Sequence, residues 1–235
     1  MLGRYSRGVR LDRFDGTRGS KDETSNAGNA GNAGNAGFEV WAKDCLMPWI
    51  TSSGLAGRGF FYRIADTSAD VPEYLSIYEL AQDDLEAAAQ ALDARLDEHR
   101  RRGQDRAAFR QVDTATWRRI GPDFISAGSA GAAVSGLLAI EAMCTDPDKS
   151  DDYNRWYNSI HVPDMLSTGL YHAAYRFENI SPEPGRGAYL ALYETDQDPK
   201  AAQQTFWQKF RPTWIETGRV IDTMKVISAN SYRLL

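Results

Sequence analysis

The stretch FEVWAKDCLMPWITSSGL, residues 38–55, lies over YNRWYNSIHVPDMLSTGL, residues 153–170, without a gap when the chain is slid on itself by 115 residues. The same frame carries residues 38–80 onto 153–195. Nine of those 43 positions are identical: Trp41/Trp156, Pro48/Pro163, Ser52/Ser167, Gly54/Gly169, Leu55/Leu170, Tyr74/Tyr189, Leu75/Leu190, Tyr78/Tyr193 and Glu79/Glu194. Unrelated stretches of this composition would share about two or three. The offset continues through Asp83/Asp198, Ala87/Ala202 and Arg118/Arg233. A period of this length predicts an internal duplication of one small unit.

Working outward, both copies give the same order of elements. In the second, Gly136–Met143 is an apolar run of strand length, and Asp151–Leu166 carries Tyr153, Trp156, Ile160 and Val162 at helical spacing. Gly169 then stops that helix as a C′ glycine. Tyr171–Asn179 alternates as a strand does, a Pro/Gly cluster at 182–187 makes a turn, and Tyr189–Glu194 is the next strand. Lys200–Arg211 reads as a helix closed by Pro212 and Gly218, before a last strand near Val226–Leu234. In the first copy, strands are expected at Ser6–Phe14, Gly59–Ile64, Tyr74–Leu80 and Gln111–Ile120, and helices at Phe38–Ser52 and Asp84–Arg101.

The expected fold is therefore α+β: two ferredoxin-like β-α-β-β-α-β units, residues 1–120 and 136–235, joined by a small-residue linker at 121–135. A flexible loop is expected at 16–37, which ends in the repeat NAGNAGNAGNAG and has no apolar face to bury. A lone unit of this kind leaves one apolar sheet face bare. Two copies in one chain can cover those faces as an intramolecular pseudo-dimer, which could pair again as a homodimer.

The 235 residues carry a net charge of −5, with 27 Lys+Arg against 32 Asp+Glu, a balance that argues against a phosphate-neutralising surface and so against nucleic-acid partners. Cys45 and Cys144, the two cysteines, form no C-x-x-C and no cluster with His, so neither a disulfide framework nor a metal site is expected. The N-terminal residues lack an apolar signal core and no run reaches the length of a membrane span, which predicts a cytoplasmic protein with no membrane partner.

His161 is the most informative single residue, because its repeat mate is Leu46. On a helix Tyr157, Asn158 and Asp164 lie at i−4, i−3 and i+3 from it, so the four polar groups can share a face; the first copy has Ala42, Lys43 and Trp49 there. An imidazole beside a carboxylate can take and return a proton near neutral pH. The bland alternative is a histidine that caps or packs beside Pro163.

On the following strand Arg176 and Glu178 alternate with Tyr175 and Phe177, so the pairs face opposite ways. Tyr175 or Arg176 could contact an oxyanion; paired interface charge is the other reading. Trp207 and Trp214, with Phe206 and Phe210, could wall an aromatic-substrate pocket or simply fill the core. Residues that both copies keep, Trp41/Trp156, Tyr78/Tyr193 and Glu79/Glu194, read as parts of the fold, and His99 and His172 as surface residues. No phosphate-binding glycine motif, H-E-x-x-H or G-x-S-x-G occurs, so no nucleotide, metal or other cofactor is expected.

The segment HVPDML, with Trp156-Tyr157 before it and Gly169 and Tyr175-Arg176 after it, resembles the EthD-like members of the dimeric α/β-barrel superfamily. The likeness covers the second copy well and the first in outline, since the first lacks the His. It implies a ligand cavity between each sheet and its own helices, in which relatives bind small aromatic or carbonyl-bearing molecules. The superfamily spans cofactor-independent monooxygenases, cyclases, dehydratases, isomerases and haem-dependent enzymes, so the resemblance bears on fold more than on function.

Together these readings lead to a cofactor-independent enzyme on a small aromatic or polyketide-like carbonyl compound, working by proton transfer in dehydration, cyclisation or isomerisation. His161 would be the acid or base, Asp164 or Tyr157 its orienter, and Arg176 or Asn158 the stabiliser of enolate charge, with Tyr175 and Trp207 lining the substrate. The alternatives are a cofactorless monooxygenase of an aromatic substrate and a non-catalytic small-molecule carrier or scaffold.

Overall fold

In a computed structural model, residues 5, 7–16, 37–68, 71–101, 109–129, 131–183 and 185–235 are described. The Gly/Asn/Ala loop expected at 16–37 lies outside them except at its two ends. The described residues divide into two compact units: those within 7–63 and 68–116, with 235, make an N-terminal unit, and residue 5 with those within 64–67 and 117–234 make a C-terminal unit.

The N-terminal unit holds β1 (Gly8–Gly16), α1 (37–52), β2 (Ala56–Ile64, all but its last residue), β3 (Tyr74–Leu80), α2 (Leu85–Arg101) and residues 109–116 of β4 (Phe109–Ile125). β3 lies between β1 and β2 and is antiparallel to both, with Asp12 opposite Ser76 and Phe61 opposite Ser76 from the other side. The C-terminal unit holds the rest of β4, then β5 (Gly136–Cys144), α3 (150–167), β6 (Ala173–Asn179), β7 (Tyr189–Thr195), α4 (199–216) and β8 (Met224–Leu234). Its strands run in the order β8–β5–β7–β6–β4, every neighbour antiparallel.

Three helices contain one wide, π-helical turn each, at Ala42–Leu46, Tyr157–His161 and Phe206–Phe210. Each turn is followed at once by a residue and a proline: Met47-Pro48, Val162-Pro163 and Arg211-Pro212. The cause is local. Proline has no N–H for the carbonyl four residues back, and its ring presses on that carbonyl. Widening the preceding turn by one residue moves the carbonyl aside, and the N–H before the proline bonds five residues back: Met47 to Ala42, Val162 to Tyr157 and Arg211 to Phe206. The helices therefore continue through their prolines. The expected stop at Pro212 is corrected: α4 runs on to Glu216.

The 115-residue offset maps Ala42–Leu46 onto Tyr157–His161, Met47–Ser52 onto Val162–Ser167 and Tyr74–Leu80 onto Tyr189–Thr195, each end on end. Gly54 and Gly169, also one offset apart, both close their helices at φ of +75° and +71°.

Two further expectations are corrected. The linker placed at 121–135 begins later, because β4 continues to Ile125, where it pairs with Ala173 after a bulge that holds Gly121 at φ +71°. His99 and His172 are buried: His99 packs on the rings of Trp41 and Trp49 of α1. The inner face of the C-terminal unit is filled by Leu138, Ile140, Tyr153, Met165, Tyr193 and Phe206 among others. None of the helices among the described residues is long and apolar enough to cross a membrane.

Candidate active site around Arg176

The wide turn of α3 decides what its side chains reach. Tyr157 and His161, at its two ends, are both buried, and Asn154 and Asn158 sit one turn apart on the flank facing β6. From the middle of β6, Arg176 projects into this face and is 1% exposed. Its guanidinium donates to Asn158 Oδ1 at 2.7 Å and to Asn154 Oδ1 at 2.8 Å, and lies 4.1 Å over the ring of Tyr157. Among the described residues no carboxylate comes within ion-pair distance of Arg176, and its Nε has no hydrogen-bond partner. A buried guanidinium held only by neutral amides and a π-face is a charge without its counter-charge.

Phenols surround it. The Tyr193 hydroxyl donates to that of Tyr157 at 3.3 Å, and Tyr153 stacks on Tyr189, whose hydroxyl accepts from Asn154 Nδ2. Burial pushes Tyr157, Tyr193 and Tyr153 above the ordinary phenol range; the nearby Arg176 pulls each of them the other way. All three are neutral at physiological pH and none supplies the missing anion. The hydroxyls of Tyr153 and Tyr171 are buried without a hydrogen-bond partner among the described residues.

His161 packs against the same Tyr157 ring over which this cation lies. Trp156 stacks on it at 5.0 Å, and Tyr157 and Trp214 approach edge-on at 4.7 Å and 5.8 Å. Burial, and then the charge of Arg176, push the imidazole down to about 4, against an opposing pull from Asp164. It is therefore a neutral imidazole at neutral pH.

Asp164 faces elsewhere. Arg219 holds it bidentately, with Nε to Oδ2 and Nη2 to Oδ1 both at 2.6 Å. The carbonyl of Arg219 also accepts from Trp156 Nε1 at 3.1 Å, and its N–H donates to the carbonyl of Trp214. One exposed residue thus ties down Asp164 and both tryptophans that enclose His161.

Of the residues singled out from the sequence, Tyr157, Asn158, His161 and Arg176 come together. Asp164 acts on His161 through charge at one remove. Tyr175 points to the opposite sheet face, where its ring meets Tyr5 and the guanidinium of Arg119 lies 4.9 Å away. Trp207 is half-buried beside Phe206, with Arg211 over its ring. Sequence reasoning missed Asn154 and Arg219. Asn154 was legible, since it stands four residues before Asn158 and so on the same helix face. Arg219 was not, because only the turn after α4 brings it 55 residues back to Asp164. Among the described residues no group of three His, Cys, Asp or Glu side chains could hold a metal ion.

Gly121, where β4 passes the Asn158 amide, is set by its backbone: φ of +71° is strained for any other residue, whereas an added Cβ would meet that amide at an ordinary contact distance of 3.5 Å.

No protein-family model matches the chain. Core atranone cluster protein 1 of Stachybotrys chlorohalonatus is 31% identical over 108 residues, 44% of this chain and 45% of that protein, so the match spans less than half of this relative's length. Among solved structures, a mutant chlorite dismutase of Candidatus Nitrospira defluvii in complex with cyanide is similar with a TM-score of 0.56 at 10% identity, over 100% of this chain and 92% of that one. An anthrone oxidase-like protein is similar with a TM-score of 0.51 at 11% identity, over 97% and 91%. At these identities the likeness is one of fold alone.

Proposed function

We propose that this chain is a cofactor-independent enzyme that binds a small aromatic or polyketide-like carbonyl compound as its enolate or phenolate. The observation that carries this is Arg176, a buried cation whose described partners are all neutral. An oxyanion is the group that such a cation stabilises most, because low dielectric strengthens their attraction and the amides have already fixed the guanidinium in place.

The proton then goes to His161. As the carbon–hydrogen bond next to the carbonyl breaks, its electron pair forms the carbon–carbon double bond of the enolate, the carbonyl π pair moves onto the oxygen facing Arg176, and the proton goes to an imidazole nitrogen. An imidazolium so poorly favoured at this position returns its proton readily, to the same carbon, to another carbon or to a departing hydroxyl. Exchange, isomerisation or dehydration follows from where the proton lands. Asp164 tempers the cost of the imidazolium, and Arg219 keeps that carboxylate and the tryptophan walls in position.

A second reading is direct reaction of the same bound anion with oxygen, without a cofactor. The fold likeness to the anthrone oxidase-like protein favours it. The name of the partial relative, a core protein of the atranone cluster, supports small-molecule chemistry in either case. We also read the two halves as descendants of one duplicated unit, supported by the shared 115-residue frame of their wide turns.

A panel of enolisable aromatic ketones, anthrone among them, tests both readings in deuterated buffer on an oxygen electrode. Deuterium entering next to the carbonyl without oxygen uptake supports proton-transfer chemistry. Oxygen uptake supports the second reading. Unchanged rates in Arg176→Met would sink both.

A further inference from the structure

The N-terminal unit carries its buried polar groups in a different place. Phe61 stands where the offset puts Arg176, and the charges come instead from β1. Arg10 and Asp12 are 1% and 0% exposed. Arg10 reaches α2, where it bonds the Ala89 carbonyl and Asp93, and its Nε donates to Asp12 Oδ1 at 2.9 Å. Thr114 of β4 donates to that same oxygen at 2.6 Å. In the C-terminal unit the matching cross-strand pairs are apolar or aromatic: Ile140 with Ala191, and Leu138 with Tyr193.

Asp12 Oδ1 is thus fully engaged, while Asp12 Oδ2 is buried and has no hydrogen-bond partner among the described residues. Directly across the strand pair, on the same sheet face, stands Ser76, 0% exposed, whose Oγ is likewise without a partner. Two neighbouring buried polar atoms left unmatched are rare in a folded protein and mark a place that something else completes. Phe61 flanks Ser76 on the next strand, and Phe14 follows Asp12 on the same face.

We infer that Asp12 and Ser76 form a second small-molecule site, on the helix side of the N-terminal sheet, which takes a neutral hydroxyl group carried on an aromatic ring. A hydroxyl fits because it donates and accepts at once: its proton goes to Asp12 Oδ2, and its oxygen accepts from Ser76 Oγ. Phe61 and Phe14 offer the ring apolar contact. The Arg10 charge beside Asp12 is already matched by Asp12 and Asp93, so an anion gains nothing here, in contrast to the Arg176 site. Burial raises the Asp12 carboxyl, against the pull of Arg10 and Thr114, in keeping with a group that shares a proton with a bound hydroxyl.

The full chain, nitrogen-15 labelled, is titrated with phenol and, separately, with toluene, and the amide signals of Asp12, Ser76 and Thr114 are followed. The expected result is saturable shifts with phenol, at least tenfold weaker binding of toluene, and at least tenfold weaker binding of phenol to Ser76→Ala. Removing an unmatched buried hydroxyl does not lower the melting temperature, so that variant stays folded. Equal affinity for phenol and toluene overturns the inference, as does unchanged phenol affinity in Ser76→Ala. So does an absence of saturable shifts, which would leave ordered water as the group completing the pair. None of these outcomes bears on Arg176.

Discussion

Arg176→Met separates a cation kept for binding from one kept for folding. In the folded chain the guanidinium makes two charge-assisted hydrogen bonds, to Asn158 and Asn154. Each is worth about 1.5–3 kcal/mol, so their sum is about 3–6 kcal/mol. Against this stands the desolvation of a guanidinium that has no carboxylate, which costs several kcal/mol on its own. The two terms nearly cancel. Methionine fills much of the same volume without that penalty, and the half-buried asparagine oxygens can turn to water.

The expected change in stability is therefore within ~1 kcal/mol, or a shift of about 2–4 °C in melting temperature for a chain of this size. Binding of an oxyanion should behave differently. Losing a fixed donor to a developing oxyanion costs about 2.7–4 kcal/mol, which is about 10²–10³-fold. Calorimetry gives the first number. Absorbance titration of bound 4-nitrophenol gives the second, because the site should favour the phenolate in wild type and lose that preference in the variant. A melting temperature lowered by more than about 10 °C, with phenolate affinity unchanged, would refute the reasoning and make Arg176 structural.

His161, held at about 4 in the folded chain, should stay neutral to the NMR observer down to mildly acid pH. Its folded value lies below the unfolded value of about 6.5, so the unfolded chain binds more protons between the two and stability falls as pH drops through that window. The full effect is about 3 kcal/mol, and His161→Leu, the residue found 115 positions earlier, should flatten that part of the stability curve. Asp164→Asn removes the carboxylate that pulls His161 upward, so the imidazole should titrate lower still, with little change in melting temperature because the partner Arg219 is exposed. Gly136→Ala should destabilise by ~3 kcal/mol or more, since its Cβ would lie 2.1 Å from the Tyr232 carbonyl and 2.4 Å from Pro199; wild-type denaturant midpoints would contradict this.

Local patterns made the order of elements readable. Gly169 ended its helix where a C′ glycine should, Tyr74–Leu80 was read residue for residue, and the apolar face of Asp151–Leu166 was visible in its spacing. These features depend on a few neighbours in the chain. Strand alternation fixes that Arg176 and Tyr175 point opposite ways but not which of them meets the helices.

The prolines were legible as perturbations and their consequence was not. Pro163 announced a disturbed helix, yet a kink and a wide turn satisfy the same missing N–H. All three prolines are preceded by the wide turn, and in α3 it sets His161 beside Trp156 and Trp214. Asp164 was likewise a reasonable orienter by its i+3 spacing until Arg219, 55 residues on, claimed both its oxygens.

Sequence alone thus determined the 115-residue offset, the succession of strands and helices, and the set of polar residues on the helix that Gly169 ends, because all three are written in spacings of a few residues or in one constant offset. Tertiary structure decided which of those groups are charged, neutral or already matched. Burial and distant partners fix that: among the described residues Arg176 meets Asn154 and Asn158 but no carboxylate, and Asp164 meets Arg219, because elements far apart in sequence come together there.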